Sequence, residues 1–195
     1  MLSYDSKIEK ADLRETVLQR RDALAAPLRA ACAETIASRP LPIPVPPGTV
    51  VSGFSSIRSE ISPVPLLRRF AAAGASLALP AIIRRGEPLV FRAFHFGQDL
   101  ARGQWGIREP KPDAPEIRPD IVLAPLAVFD RRGNRIGYGA GYYDRTLRAL
   151  RALKPIVVIG LAFALQEVDE VPARSWDEPL DLVLTEREVI DCRRA

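Results

Sequence analysis

"IVLAPLAVFDRRGNRIGYGAGYYDRTLRAL", residues 121–150, joins an apolar run to an arginine- and leucine-rich segment through a stretch with glycine at every second position from Gly137 to Gly141. The aliphatic run "IVLAPLAVF" predicts one buried strand, and "YYDRTLRALRAL" predicts an amphipathic helix. In an α/β sheet, ligands gather where the carboxyl ends of strands lead into helix N-termini. Glycines there let backbone N–H groups point into a shared hollow with no Cβ in the way, which suits phosphate oxygens at the positive end of a helix. No Gly-Lys-Ser/Thr follows, and Tyr142 stands where the third glycine of a dinucleotide fingerprint would be. On the glycines alone, a phosphate cradle and a plain strand-to-helix turn remain equally open.

Outward from this stretch the elements alternate. "YDSKIEKADLRETVLQRRDAL" predicts a charged helix with Ile8, Leu13, Val17, Leu18 and Leu24 at roughly helical spacing, and "PLRAACAETIAS" a second helix opened by Pro27. "RPLPIPVPPGTV" is too rich in proline for either regular element and reads as an extended connector into the strand "TVVSGF". A helix near "PLLRRFAAAG", strands in "SLALPAI" and "PLVFRAF", and a proline-spaced loop "EPKPDAPEIRP" come before the quoted stretch. After it come the strand "PIVVIGLAF" and a closing "DLVLTEREVID". Continuous β-branched strands between amphipathic helices predict an α/β fold, a single domain over residues 1–195 with a mostly parallel central sheet and helices on both faces.

Composition narrows the function classes. Nearly half of the 195 residues (47%) are hydrophobic, enough for one substantial core without a second. The longest apolar runs fall far short of the ~20 residues of a membrane span, and "MLSYDSKIEK" lacks the apolar region of a signal peptide, so a cytoplasmic protein is expected. Cys32 and Cys192 have no ligand-type spacing and read as two reduced thiols. The net charge of +4 is carried largely by arginine pairs such as Arg20-Arg21 and Arg131-Arg132, scattered and without aromatic interleaving. This predicts neither a nucleic-acid nor a membrane partner, and fits small anionic ligands better.

The string "FDRRGNRIGYGAGYYDR" resembles the signature of the 5-formyltetrahydrofolate cyclo-ligase (methenyltetrahydrofolate synthetase) family. Further segments are similar to that family's other anchors: "KADLRETVLQRRDAL" to its N-terminal Lys-x-x-Leu-Arg helix, "SEIS" to its Glu-Ile/Val-Asp-Thr turn, "WGIREP" to its aromatic-Gly-Ile-x-Glu-Pro, and "WDEPLDLVLTE" to its closing segment. Ser62-Pro63 and Trp176 depart from the usual Asp-Thr and histidine. The resemblance implies a three-layer α/β/α fold and ATP- and Mg²⁺-dependent closure of 5-formyltetrahydrofolate to 5,10-methenyltetrahydrofolate, through a phosphorylated formyl oxygen. A monomer acting on a small-molecule substrate is expected. A non-catalytic nucleotide- or folate-binding protein and a small-molecule kinase are the alternatives.

By that resemblance, Arg135, Ile136, Gly137, Tyr138, Gly139, Ala140, Gly141, Tyr142 and Tyr143 wrap the ATP phosphates, with Arg135 and Tyr143 as catalytic residues. Lys10 and Arg14, four apart on one helix face, clamp the phosphates from the other side, although a solvated charged helix would look the same. Asp144 and Asp181 hold Mg²⁺, which needs only one or two carboxylates beside phosphates; Asp177 is a weaker candidate. Glu60 binds the donor-rich face of the pterin, and Ser56, Trp105 and Tyr142 line its pocket. Phosphoryl transfer to an unprotonated oxygen needs positioning and charge more than a base. The chain agrees in having one histidine, His95, which reads as structural or surface.

Overall fold

The computed structural model describes residues 5–194, with side chains from Glu9 to Arg193; Tyr4 and the side chain of Ile8 lie outside the described residues. Two helices, α1 (Asp5–Asp22) and α2 (Ala26–Ser38), precede β1 (Val50–Ser52), α3 (Val64–Ala72), β2 (Ser76–Ala81) and β3 (Val90–Phe94). Then follow β4 (Leu100–Arg102), β5 (Arg108–Pro110), β6 (Ile121–Pro125), β7 (Val128–Phe129), β8 (Arg135–Ile136) and α4 (Tyr142–Leu153). The last strands are β9 (Val157–Leu161), β10 (Leu182–Leu184) and β11 (Val189–Asp191).

Seven strands form one sheet in the order β11-β10-β9-β6-β1-β2-β3. Its interior pairs are parallel, and only the edges β3 and β11 are antiparallel. Alternation along the strands splits the core into two layers. Ile121, Leu123, Ile159 and Leu161 share one cluster with Ile36 of α2 and Leu66, Leu67 and Phe70 of α3. Val122, Ala124, Val158 and Val183 face the other way, onto Leu147 and Leu150 of α4. The three-layer α/β/α arrangement follows from this split. Among the described residues no helix is long and apolar enough to cross a membrane.

Three segments depart from the sequence reading. "IVLAPLAVF" is not one strand: β6 ends at Pro125, which has no N–H to continue the ladder. The chain then turns under the Gln166 amide, whose Nε2 donates to Leu126 O (2.9 Å) and Ala127 O (3.0 Å), and starts the separate β7–β8 hairpin. The glycine loop therefore leaves this hairpin rather than a sheet strand. "DLVLTEREVID" is itself a hairpin, β10–β11, turned by the Thr185 hydroxyl, which accepts from the N–H of Arg187 (3.2 Å) and Glu188 (3.0 Å). "EPKPDAPEIRP" begins within β5, paired to β4.

Candidate active site

The turn between β7 and β8 is built around Asp130, whose carboxylate is wholly buried and accepts N–H bonds from Arg132 (2.9 Å), Asn134 (3.0 Å) and Val171 (3.0 Å). Gly133 (φ +85°) completes it: a Cβ there would stand 2.4 Å from Leu180 O, so no other residue fits. Held in this way, β8 turns Arg135 inward. Its side chain is 4% exposed, with Nη2 2.8 Å from Asp144 Oδ1 and Nη1 donating to Glu178 O. Burial draws the guanidinium below its ordinary pKa, opposed by Asp144 and then Asp177.

Beyond β8 the loop takes left-handed backbone at Gly139 (φ +91°) and Gly141 (φ +66°) before entering α4. The space before it is open. A Cβ on Gly137 would meet nothing within 4 Å, and one on Gly139 only Arg14 Nη1 at 3.5 Å. That guanidinium is placed by α1, which packs Leu13, Val17 and Leu18 against Ala127, Val128, Ile136 and Val171. Lys10, one turn earlier, pairs with Asp177 (2.5 Å), and Arg145 donates to Ala140 O (2.7 Å). Lys10, Arg14, Arg135 and Arg145 thus surround loop amides at a helix N-terminus, an arrangement able to hold a polyphosphate.

At the carboxyl end of β1 a second hollow of about 240 Å³ opens, lined by Ser55, Ser56, Ile57, Leu100, Trp105, Gly106, Ile107 and Arg108. The only non-glycine residues with positive φ among the described residues, Arg58 (+52°) and Trp105 (+57°), flank it. Such backbone persists where its surroundings over-determine it, often at ligand sites. Trp105 is 67% exposed and meets Tyr142 edge-on at 5.9 Å. Glu60, 8% exposed, accepts the Ile57 N–H at 2.8 Å. Burial raises its pKa, partly countered by the Ile57 N–H, the Tyr138 hydroxyl and the Arg21 charge. A larger apolar cleft of about 450 Å³ lies at the other end of the sheet, beside Val50 and Ser76 where β1 and β2 begin; His95 lines it, and none of the predicted site residues does.

The two halves meet at α4. The Tyr143 hydroxyl is buried and has no hydrogen-bond partner among the described residues. Burial first and Glu60 second raise its pKa, with Arg135 acting in the opposite sense, so it feels the carboxylate of one half and the cation of the other. The Tyr142 hydroxyl is likewise buried and, among the described residues, unpartnered.

Asp144 lies on the first turn of α4, its side chain 30% exposed, with Oδ1 taken by Arg135 and by the Glu178 N–H (3.2 Å). Magnesium keeps several waters, so one partly exposed carboxylate beside bound phosphates fits it. Asp181 is not brought to the same point. It precedes β10, and its Oδ2 accepts the Val158 N–H (2.7 Å) and lies 3.3 Å from Arg151 Nη2. The last turn of α4 carries Arg151, and Lys154 just beyond it reaches Asp120 ahead of β6 (2.5 Å), which fixes that end of the helix at the amino ends of the strands. Seven residues of helix, roughly 10 Å, separate Asp144 from Arg151. The sequence reading also missed Glu178, which ties Arg135, Asp144, Arg148 and Arg151 together, and Arg21, which is 1% exposed. Neither has a local signal, since both look like charges on a solvated segment. His95 is exposed, as expected, and both cysteines are free and buried.

A sequence model of the 5-formyltetrahydrofolate cyclo-ligase family matches residues 6–186. The chain belongs to this family. It is accordingly a ligase of folate metabolism. The 5-formyltetrahydrofolate cyclo-ligase of Escherichia coli K12 is 33% identical over 180 residues, covering 89% of this chain and 98% of that protein. The enzyme of that name from Mycolicibacterium smegmatis is 31% identical over 186 residues, covering 90% and 93%. The solved structure of Aquifex aeolicus 5,10-methenyltetrahydrofolate synthetase superposes with a TM-score of 0.78 at 28% identity, covering 94% of this chain and 93% of that one.

Proposed function

We propose that this protein closes 5-formyltetrahydrofolate to 5,10-methenyltetrahydrofolate, driven by ATP with Mg²⁺. The formyl oxygen attacks the γ-phosphorus as the bond to the ADP oxygen breaks. The side-arm nitrogen N10 then attacks the activated formyl carbon, the C–O bond breaks to release phosphate, and the N10 proton passes to that departing phosphate. Arg135, Arg14 and Lys10 carry charge around the moving phosphoryl group, and the loop amides about Gly137, Gly139 and Gly141 receive its oxygens. Asp144 holds Mg²⁺, which when bound neutralises phosphate charge. Glu60 takes the pterin N–H groups, with Ser56, Trp105 and Tyr142 about the ring. The buried thiols fit a reducing compartment such as the cytoplasm.

The observation that carries this reading is the Tyr143 hydroxyl, buried with no hydrogen-bond partner among the described residues and acted on by both the Glu60 carboxylate and the phosphate-side Arg135. A buried hydroxyl lacking a partner is costly, and a ligand oxygen spanning the two halves would satisfy it. In that place it donates to the formyl or phosphoryl oxygen and holds the reacting pair in line. The test is spectroscopic. The protein with Mg-ATP and 5-formyltetrahydrofolate should generate the methenyl absorbance, and the same mixture without ATP should not. Product formed equally without ATP would sink the mechanism.

A further inference from the structure

Tyr138 sits between Gly137 and Gly139, yet it is the one large side chain of the loop that reaches out of the phosphate half. The residue is 36% exposed while its hydroxyl accepts from Arg21 Nη1 at 2.6 Å. Arg21 is buried and bound on its other side to the turn that carries Glu60: Nε donates to Ser59 Oγ at 2.9 Å. The Arg21 guanidinium also lies 5.8 Å from the centre of the Tyr138 ring. The Tyr138 hydroxyl and the Arg21 charge both act on the Glu60 carboxylate, lowering its pKa against the rise that burial causes. One buried arginine thus joins the glycine loop to the pterin carboxylate. It belongs to α1, the helix that brings Arg14 to Gly139; Arg14 and Arg21 are two turns apart, roughly 10 Å along one face.

We propose that Arg21 and Tyr138 form a positioning link between the two half-sites, so that phosphates seated on the glycine loop fix Glu60 for the pterin and the two substrates bind with mutual dependence. The proposal rests on the functional reading above. Its physical basis is that Tyr138 cannot shift with the loop without pulling its hydroxyl from Arg21, which holds Ser59 in the turn beside Glu60. Seating the loop therefore seats the carboxylate, and by linkage the pterin must favour nucleotide as much as nucleotide favours pterin. Glu60 is faced by Arg21 from α1, Tyr138 from the loop, Tyr143 from α4 and the Ile57 N–H of its own turn. Of these, only Tyr138 is part of the phosphate loop, and its hydroxyl is bonded to Arg21. The Tyr138 hydroxyl favours the charged form of Glu60, so without it Glu60 should titrate higher still.

The experiment measures the affinity of 5-formyltetrahydrofolate with and without a non-hydrolysable ATP analogue and Mg²⁺, across pH, for the parent and Tyr138→Phe. In the parent the analogue should tighten folate binding at least about fivefold. In Tyr138→Phe the gain should fall below about twofold, the acid limb of folate binding should move to higher pH, and nucleotide affinity alone should stay within about twofold of the parent. A lost packing role would weaken both ligands without moving the acid limb. A variant that keeps both the coupling and the acid limb overturns the link, whereas a parent that binds neither ligand overturns the functional reading together with it. Should Tyr138→Phe fail to fold, ¹³C-carboxyl NMR of Glu60 in the parent decides: the analogue should lower its titration midpoint, and an unmoved midpoint overturns the link.

Discussion

The proposed phosphate half of the site comes from one continuous stretch, Arg135 to Tyr143, closed by a single helix face, whereas the proposed pterin half is assembled from distant segments around Ser55–Glu60, Trp105–Arg108 and Tyr142. The first is open and cationic, and its shape comes from glycines with left-handed backbone. The second lies beside the buried Glu60 carboxylate and is flanked by positive-φ backbone at Arg58 and Trp105. The contrast fits the ligands proposed. A polyphosphate is recognised by many equivalent oxygens and needs donors in an open hollow, while a flat heterocycle is recognised by one oriented contact and stacked walls.

The largest expected effect lies in the first half. Gly139→Val and Gly141→Val should abolish nucleotide binding by calorimetry while circular dichroism stays native, because a β-branched residue cannot hold the positive φ that aims the amides. Ala140→Gly should still bind. Folded valine variants with parental affinity would make the loop a mere turn. Next, Asp144→Asn should raise the Mg²⁺ concentration for half-maximal turnover by on the order of tenfold or more, the loss of a charged contact of about 1.5–3 kcal/mol. An unchanged requirement would remove Asp144 from the metal.

In the second half, Glu60→Gln should weaken folate binding by about 1.5–3 kcal/mol and leave nucleotide affinity nearly constant. Equal loss for both ligands would mean a structural role. Asp181→Ala should leave the Mg²⁺ requirement alone but lower stability by roughly 1–3 kcal/mol, since the Val158 N–H loses its acceptor. A changed metal requirement there would bring Asp181 back to the phosphate side. The smallest effect concerns pH. Burial raises the Glu60 pKa, so the native state binds its proton more tightly than the unfolded chain, and stability is lost as pH rises from the unfolded toward the folded value. Glu60→Gln should therefore melt higher than the parent at pH 8, with the gain shrinking toward pH 4. The opposite trend would mean that the charged form is the favoured one.

The same contrast explains what the sequence makes legible. Strand β9, helix α4 and the buried part of β6 follow from local period, and the glycine loop with Arg135 and Asp144 from a contiguous string. The break after Pro125 is hidden because the apolar run continues through "LAVF", and only the distant Gln166 amide turns the chain. The β4–β5 hairpin is hidden because its turn depends on Trp105 in a left-handed conformation that few side chains adopt. Asp181 is spaced in sequence as the family has it, but spacing does not say that its carboxylate points to the Val158 N–H at the amino end of the sheet. Arg21 lies in a charged helix end and looks solvated until Ser59 and Tyr138 close over it.

Whether ATP acts by phosphorylating the formyl oxygen can be read from a single isotope experiment. The parent protein would be incubated with Mg-ATP and 5-formyltetrahydrofolate carrying ¹⁸O in the formyl group, and the released phosphate examined by ³¹P NMR. Each phosphate formed with a methenyl product should carry one heavy oxygen, because the formyl oxygen leaves on phosphorus. Unlabelled phosphate accumulating in step with methenyl product would contradict the proposed transfer.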